Sequence, residues 1–156
     1  MMDLWRISNY SDLQGLGGLR VSGRWHDRGQ PVVYLAEHPA LALLETMVHH
    51  EIRSMADLPN GYQLLRVQMD DDVAVAELAS VVLPDDWHVN LSWTQAAGSE
   101  WLASSQSALL KVPSAILPHA SNYVLNPLHP DAGRISVAEV QRVPYDPRIL
   151  ALLSRT

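Results

Sequence analysis

The residues of this chain best suited to chemistry gather near one turn. The stretch SGRWHDRGQPVVYLA, Ser22 to Ala36, brackets Arg24 and Trp25 with Gly23 and Gly29 and runs into an apolar strand carrying Tyr34. A guanidinium is a planar fork of donors that suits phosphate or pyrophosphate oxygens better than an ammonium does, so Arg24 at a loop mouth is a candidate anion anchor. The alternative is a surface arginine stacked on Trp25. Tyr34 shares a strand face with Val32 and Ala36 and, taken alone, reads as a core residue. Arg6 lies inside the first apolar strand, LWRI, where a valine or leucine is expected, unless that strand is an edge and Arg6 faces solvent.

Glu45 follows eleven residues beyond Tyr34, inside the stretch HPALALLETMVHHEIRSMADLP. That stretch reads as the clearest helix, opened by Pro39 and closed before Pro59. On it Leu41, Leu44, Val48, Ile52 and Met55 fall within about 40° of one line, and Glu45 lies about 40° from the stripe's centre. An unpaired buried carboxylate costs several kcal/mol or takes up a proton. Glu45 is therefore paired with a cation, placed at the lip of a cleft, or functional; the plain alternative is a solvent-edge glutamate bridging to an arginine.

The elements that must position these groups follow a mixed order. Leu4 to Ile7, PVVYLA, GYQLLRVQM and DVAVAEL read as strands, with the aspartates at 70–72 turning between the last two to make a strand pair. TQAAGSEWLASSQSA is a second helix, weakened by Gly98 and its serines. LLKVPSAILP, NYVLNP and RISVAEVQRV read as later strands and DPRILALLS as a terminal helix. Few regular βαβ alternations occur, so the expected fold is α+β, one domain over residues 1–156 with mixed or antiparallel sheets.

Composition bounds the function. With 156 residues, 47% of them hydrophobic, the chain fills one substantial core. A formal charge of −6 argues against direct nucleic-acid binding, which needs a broad basic surface. Without cysteine there is no disulfide or thiolate metal site. No basic leader or apolar run of about 18 residues is present, so the expectation is a cytoplasmic protein with no membrane span. GLGGLRVSG lacks the third glycine of a dinucleotide loop, and His38, His49 and His50 lack the spacing for a metal pair, so no metal site is expected. His129 reads as a brace of its proline-rich turn, and the tryptophans of PDDWHVNLSW as core anchors or a partner surface.

Taken together, LWRI, SGRWHDRGQPVVYLAEHPALALLE and VPSAILPHASNYVLNPLHPD resemble the RES domain, a toxin family commonly encoded beside an Xre-type antitoxin. The most specific pieces are Gly23-Arg24-Trp25, Pro31 to Tyr34, Glu45, and Asn126 to Pro130. His26 departs from the asparagine common in the family. The resemblance implies a fold like that of diphtheria-toxin-type ADP-ribosyltransferases and an activity that consumes NAD as substrate, with no resident cofactor. On that reading Arg24, with Arg6, holds phosphate or ribose oxygens, Tyr34 stacks on or edges the nicotinamide, and Glu45 stabilises the positive charge that develops on the ribose. The family serine is Ser114, with Ser121 in reserve, and Ser121 and Asn122 join the binding set. The implied partner is an Xre-type helix-turn-helix antitoxin, and self-association is compatible with the family. Hydrolysis of NAD leads; transfer of ADP-ribose to a protein, a non-catalytic antitoxin-binding module, and a histidine-based ribonuclease are the alternatives.

Overall fold

Strand periodicity is strongest in YQLLRVQM, where Gln63, Leu65, Val67 and Met69 are buried and the residues between them are not. The computed structural model describes residues 1–49, 60–78 and 82–153. Among them, seven strands form one sheet: β1 Met2–Ile7, β2 Val33–Ala36, β3 Tyr62–Met69, β4 Val75–Glu77, β5 Leu109–Pro113, β6 Ser121–Leu125 and β7 Ile135–Val143, in the order β4-β5-β6-β2-β1-β3-β7. Every pairing is antiparallel except β4 with β5, which is parallel. The α+β class with a mixed sheet is the one expected.

One expectation is overturned. β3 and β4 are not a strand pair, because β3 is already hydrogen-bonded on both sides, to β1 and to β7. The aspartate turn, closed by Val73 N–H on the Asp70 carbonyl, instead leads the chain to the far edge of the sheet.

The seam between β1 and β2 is a single register pair, Trp5 with Ala36, whereas β1 matches β3 residue for residue from Met2 to Ile7. A seam that short lets the sheet bend, and side chains from both halves meet in one cluster: Leu4, Leu65, Val67 and Ile135 from one, Val33, Leu35, Leu109 and Leu125 from the other. Burial of each such side chain contributes roughly 2 kcal/mol. The other face is covered by helices. α1, Pro39–His49, packs Leu41 and Ala42 against Ala36, Trp5 and Ile7. α2, Leu91–Ser104, buries Trp101 and Leu102 with Trp25, Trp87, Leu110, Val112 and Val124. A short third helix, α3, covers Pro147–Leu153.

Local chemistry explains the helix ends. His38 precedes α1 and its ring Nδ1 accepts from Ala40 N–H, with Pro39 in the first helical position where a missing N–H costs nothing. Asn90 caps α2 by accepting from Trp93 N–H, so the helix begins three residues before the expected Thr94. It ends where Ser105 turns left-handed at φ 50°. The expected continuation of α1, with Ile52 and Met55 of its stripe, lies outside the described residues.

Candidate active site

Glu45 is closer to the buried line of α1 than the stripe suggested. The residues that face the sheet are Leu41 and Ala42, while Val48 is 53% exposed. At about 100° per residue Glu45 falls between the first two, pointing along the covered face. Its partners are neutral. Ser114 Oγ donates to Oε1 at 2.7 Å and Asn122 Nδ2 donates to the same oxygen at 2.8 Å. No cation pairs with it among the described residues, so the solvent-edge salt bridge is not what the chain builds. Ser114 is itself buried and held, since its Oγ accepts from Ile116 and Leu117 N–H.

Register ties Tyr34 to this carboxylate. Tyr34 pairs with Val124 and Ala36 with Asn122, so Tyr34 and Asn122 are diagonal neighbours on one face, with Cβ atoms about 7 Å apart. The phenol also belongs to the arginine turn. Its oxygen accepts from Trp25 N–H at 3.0 Å and lies 2.7 Å from His26 Nδ1. Burial pushes the phenol's pKa up, against the pull of the Trp25 N–H and of the Arg24 charge, which places the guanidinium within electrostatic reach of the hydroxyl. Tyr34 is thus the element common to the turn and the glutamate.

The turn approaches so closely because residue 23 has no side chain. A Cβ there would overlap the Tyr34 hydroxyl. Gly23→Ala is expected to displace the ring and break the Trp25 contact, lowering stability by about 1–3 kcal/mol. Thermal denaturation checks this, and an unchanged midpoint would contradict the packing.

α2 clamps the turn from the other side. Gln95 Nε2 donates to the Gly23 carbonyl at 2.9 Å and Ser99 Oγ accepts from Asp27 N–H at 3.2 Å. Between them Gly98 lies against the Trp25 carbonyl, where no Cβ would fit. Trp25, 2% exposed, packs its ring 6.0 Å from that of Trp87, so it is a core anchor rather than a platform for Arg24. Arg24 Nη1 instead donates to the His88 carbonyl at 3.0 Å, beside the entry to α2. In the sequence Gly98 and Ser99 read only as residues that weaken the helix, and Gln95 carries no signal of its own; a glycine and a serine side by side inside a helix are the signal of a close backbone approach.

His26 is buried within this turn. Burial pushes its pKa below the ordinary 6.5, opposed by the carbonyls of Gly18 and Val21 and by the Asp27 carboxylate. The unfolded chain therefore takes up this proton at a higher pH than the folded one. The stabilisation is fully present above pH 6.5 and is lost as pH falls through the folded value. The melting temperature is expected to drop on acidification below that point, and His26→Asn to flatten the drop; identical slopes for the two proteins would contradict this.

The remaining candidates separate. Ser121 N–H donates to Glu37 Oε1, and Ser121 lies one residue from Asn122, so its side chain starts on the other face of β6. Arg6 pairs in register with Leu65, on the face opposite Tyr34 and Asn122, and its Nη1 donates to the Asp12 carbonyl. Burial lowers its pKa, partly offset by Asp12. A cavity of about 360 Å³ lined by Met2, Met69, Val75, Lys111 and Tyr123 opens on that opposite face, away from Glu45. His129 braces its turn, its Nδ1 accepting from Asp131 N–H.

A glutamate held by two neutral donors, on the same sheet face as a tyrosine reached by an arginine turn, is the arrangement to set beside known proteins. The profile of the family described as RES domain matches residues 3–147, and the chain belongs to that family. It is 48% identical over 131 residues to a Pseudomonas putida protein named Toxin Res, covering 84% of this chain and 88% of that one. It is 38% identical over 160 residues to the Prs ADP-ribosylating toxin of a Sphingobium species, covering 94% and 95%. In fold it is similar to a chain in the crystal structure of the M. tuberculosis MbcT-MbcA toxin-antitoxin complex, with a TM-score of 0.75 and 20% identity over 99% of this chain and 90% of that one. Among the described residues no helix is long and apolar enough to cross a membrane.

Proposed function

We propose that this chain is the toxin of a toxin–antitoxin pair and that it consumes NAD by breaking the bond between nicotinamide and ribose. The observation that carries the reading is the Glu45 carboxylate. Its hydrogen bonds come from a serine hydroxyl and an asparagine amide, which fix it in place without neutralising its charge.

The chemistry asks for such a group. As the glycosidic bond breaks, its electron pair leaves with nicotinamide, which becomes neutral, and the ribose acquires oxocarbenium character. A fixed anion facing the ribose stabilises that charge more in the transition state than in the ground state. Water then adds to the anomeric carbon, a proton is released, and the products are nicotinamide and ADP-ribose. Arg24 supplies a fork for the pyrophosphate, Tyr34 a ring for the nicotinamide, and Ser114 and Asn122 hold Glu45 in place toward the ribose. NAD is the substrate, and the scheme uses no resident cofactor. Arg6 and Ser121 stand outside this set.

A second reading is favoured by the relative named as an ADP-ribosylating toxin, similar over nearly the whole chain. A protein side chain would then take the place of water, with the same transition state. Mass spectrometry of proteins incubated with the enzyme and NAD separates the two: an added ADP-ribose on a target supports transfer, and free ADP-ribose alone supports hydrolysis.

The partner proposed is an Xre-type antitoxin, which would carry any DNA binding, since the chain's charge of −6 provides no basic stripe. The place of action proposed is the cytoplasm. Expression of this chain alone is expected to deplete cellular NAD, and co-expression of the antitoxin to prevent it. Growth arrest with NAD at its starting level would contradict the reading.

A further inference from the structure

The Tyr34 hydroxyl sits in a closed set of hydrogen bonds whose directions can be assigned. Gly23 N–H and Trp25 N–H are obligate donors. Gly23 N–H points at His26 Nδ1 at 3.2 Å and also at the His26 carbonyl at 3.1 Å. Trp25 N–H points at the Tyr34 oxygen at 3.0 Å. A ring nitrogen that receives an N–H must be unprotonated, so Nδ1 is an acceptor and the ring hydrogen resides on Nε2. The 2.7 Å contact between Nδ1 and the Tyr34 oxygen then has one polarity: the phenol donates and the imidazole accepts. Nε2 has no hydrogen-bond partner among the described residues, although the carbonyls of Gly18 and Val21 lie close enough to favour a hydrogen on the ring.

From this we propose that His26 is a positioning residue that takes the phenolic hydrogen of Tyr34 on Nδ1, so that Tyr34 meets the nicotinamide with its ring and has no hydrogen left to give. The inference deepens the NAD reading and rests on it for its kinetic test. With its oxygen receiving from the backbone and its hydrogen committed to an imidazole that is itself 2% exposed, the phenol can neither protonate a leaving group nor bond to the carboxamide by donation. Its tilt over the sheet is fixed at the hydroxyl end by His26 and Trp25 and at the backbone end by β2. The titratable groups facing the imidazole are Asp27 of its own turn, whose charge favours protonation of the ring against the effect of burial, and Tyr34 of β2, whose hydroxyl can donate to Nδ1 only while that nitrogen is unprotonated. A ring protonated on Nδ1 would confront the Gly23 N–H with a second donor.

Two measurements test this, one of them independent of NAD. Nitrogen NMR of the histidine rings at pH 7.5 and above is expected to show His26 as the Nε2–H tautomer, with a hydrogen-bonded, unprotonated Nδ1; the Nδ1–H tautomer overturns the assignment whatever the substrate proves to be. In kinetics, His26→Asn keeps an oxygen where Nδ1 stood and is expected to retain the KM for NAD within about threefold, whereas His26→Leu, lacking an acceptor, raises KM by roughly tenfold with a smaller change in kcat. A loss in His26→Leu confined to kcat, or His26→Asn as impaired as His26→Leu, would also overturn it. Wild-type protein that leaves NAD intact while showing the Nε2–H tautomer would remove the NAD reading and leave the hydrogen-bond assignment standing.

Discussion

Glu45→Gln is expected to reduce nicotinamide release from NAD by about 10²–10³-fold, the scale on which removal of one preorganised electrostatic partner is felt. The substitution is selective. A glutamine oxygen still accepts from Ser114 and Asn122, so the two bonds that fix the side chain survive and the fold should melt within a degree or two of wild type by the ordinary scale for such isosteric changes. Only the negative charge is removed. Because the charge acts on the ribose as its bond to nicotinamide breaks, the loss belongs in kcat and in kcat/KM together. Initial-rate assays of nicotinamide release check it, and a variant with wild-type kcat would take Glu45 out of the mechanism.

The second large effect is on the scaffold. Gly98→Ala puts a methyl group into the Trp25 carbonyl, which is backbone and cannot swing aside. α2 must move away from the arginine turn, with loss of the Gln95 and Ser99 bonds and disturbance of the contact between Trp25 and Trp87. The expected cost is about 3 kcal/mol or more, net of the roughly 1 kcal/mol that alanine would otherwise gain over glycine by helix propensity. For a domain of this size that is a fall in melting temperature of roughly 6–12 °C. A variant as stable as wild type would mean that the helix does not press on the turn as described.

These effects also show what local sequence could and could not disclose. The face shared by Val32, Tyr34 and Ala36 follows from strand alternation, and the structure keeps all three on the helix-covered side, with Val32 and Tyr34 against α2's cluster and Ala36 against α1's. Pro39 at the start of the first helix was equally plain, because its fixed φ and missing N–H suit only that position. The partnership of Glu45 was not. Ser114 and Asn122 lie 69 and 77 residues away along the chain, and no periodicity within a helix names a partner in a distant strand.

Two further cases follow the same rule. β4 has an alternating pattern that suits pairing, and nothing local says that both sides of β3 are already taken, so its neighbour could not be read from its own residues. Gly98 carried a message that propensity misread: its absence of a side chain serves a tertiary contact, and the helix tolerates it because Asn90 caps the start and Trp101 and Leu102 anchor the end. Arg6, unusual for an apolar strand, drew attention for its type, while its position was decided by register.

Which bond of NAD is broken separates this mechanism from its competitors, and chromatography of NAD incubated with the purified wild-type protein reads that directly. Nicotinamide and ADP-ribose appearing in equal amounts, at a rate proportional to enzyme, is the predicted result. Intact NAD, or cleavage at the pyrophosphate to two mononucleotides, would contradict it.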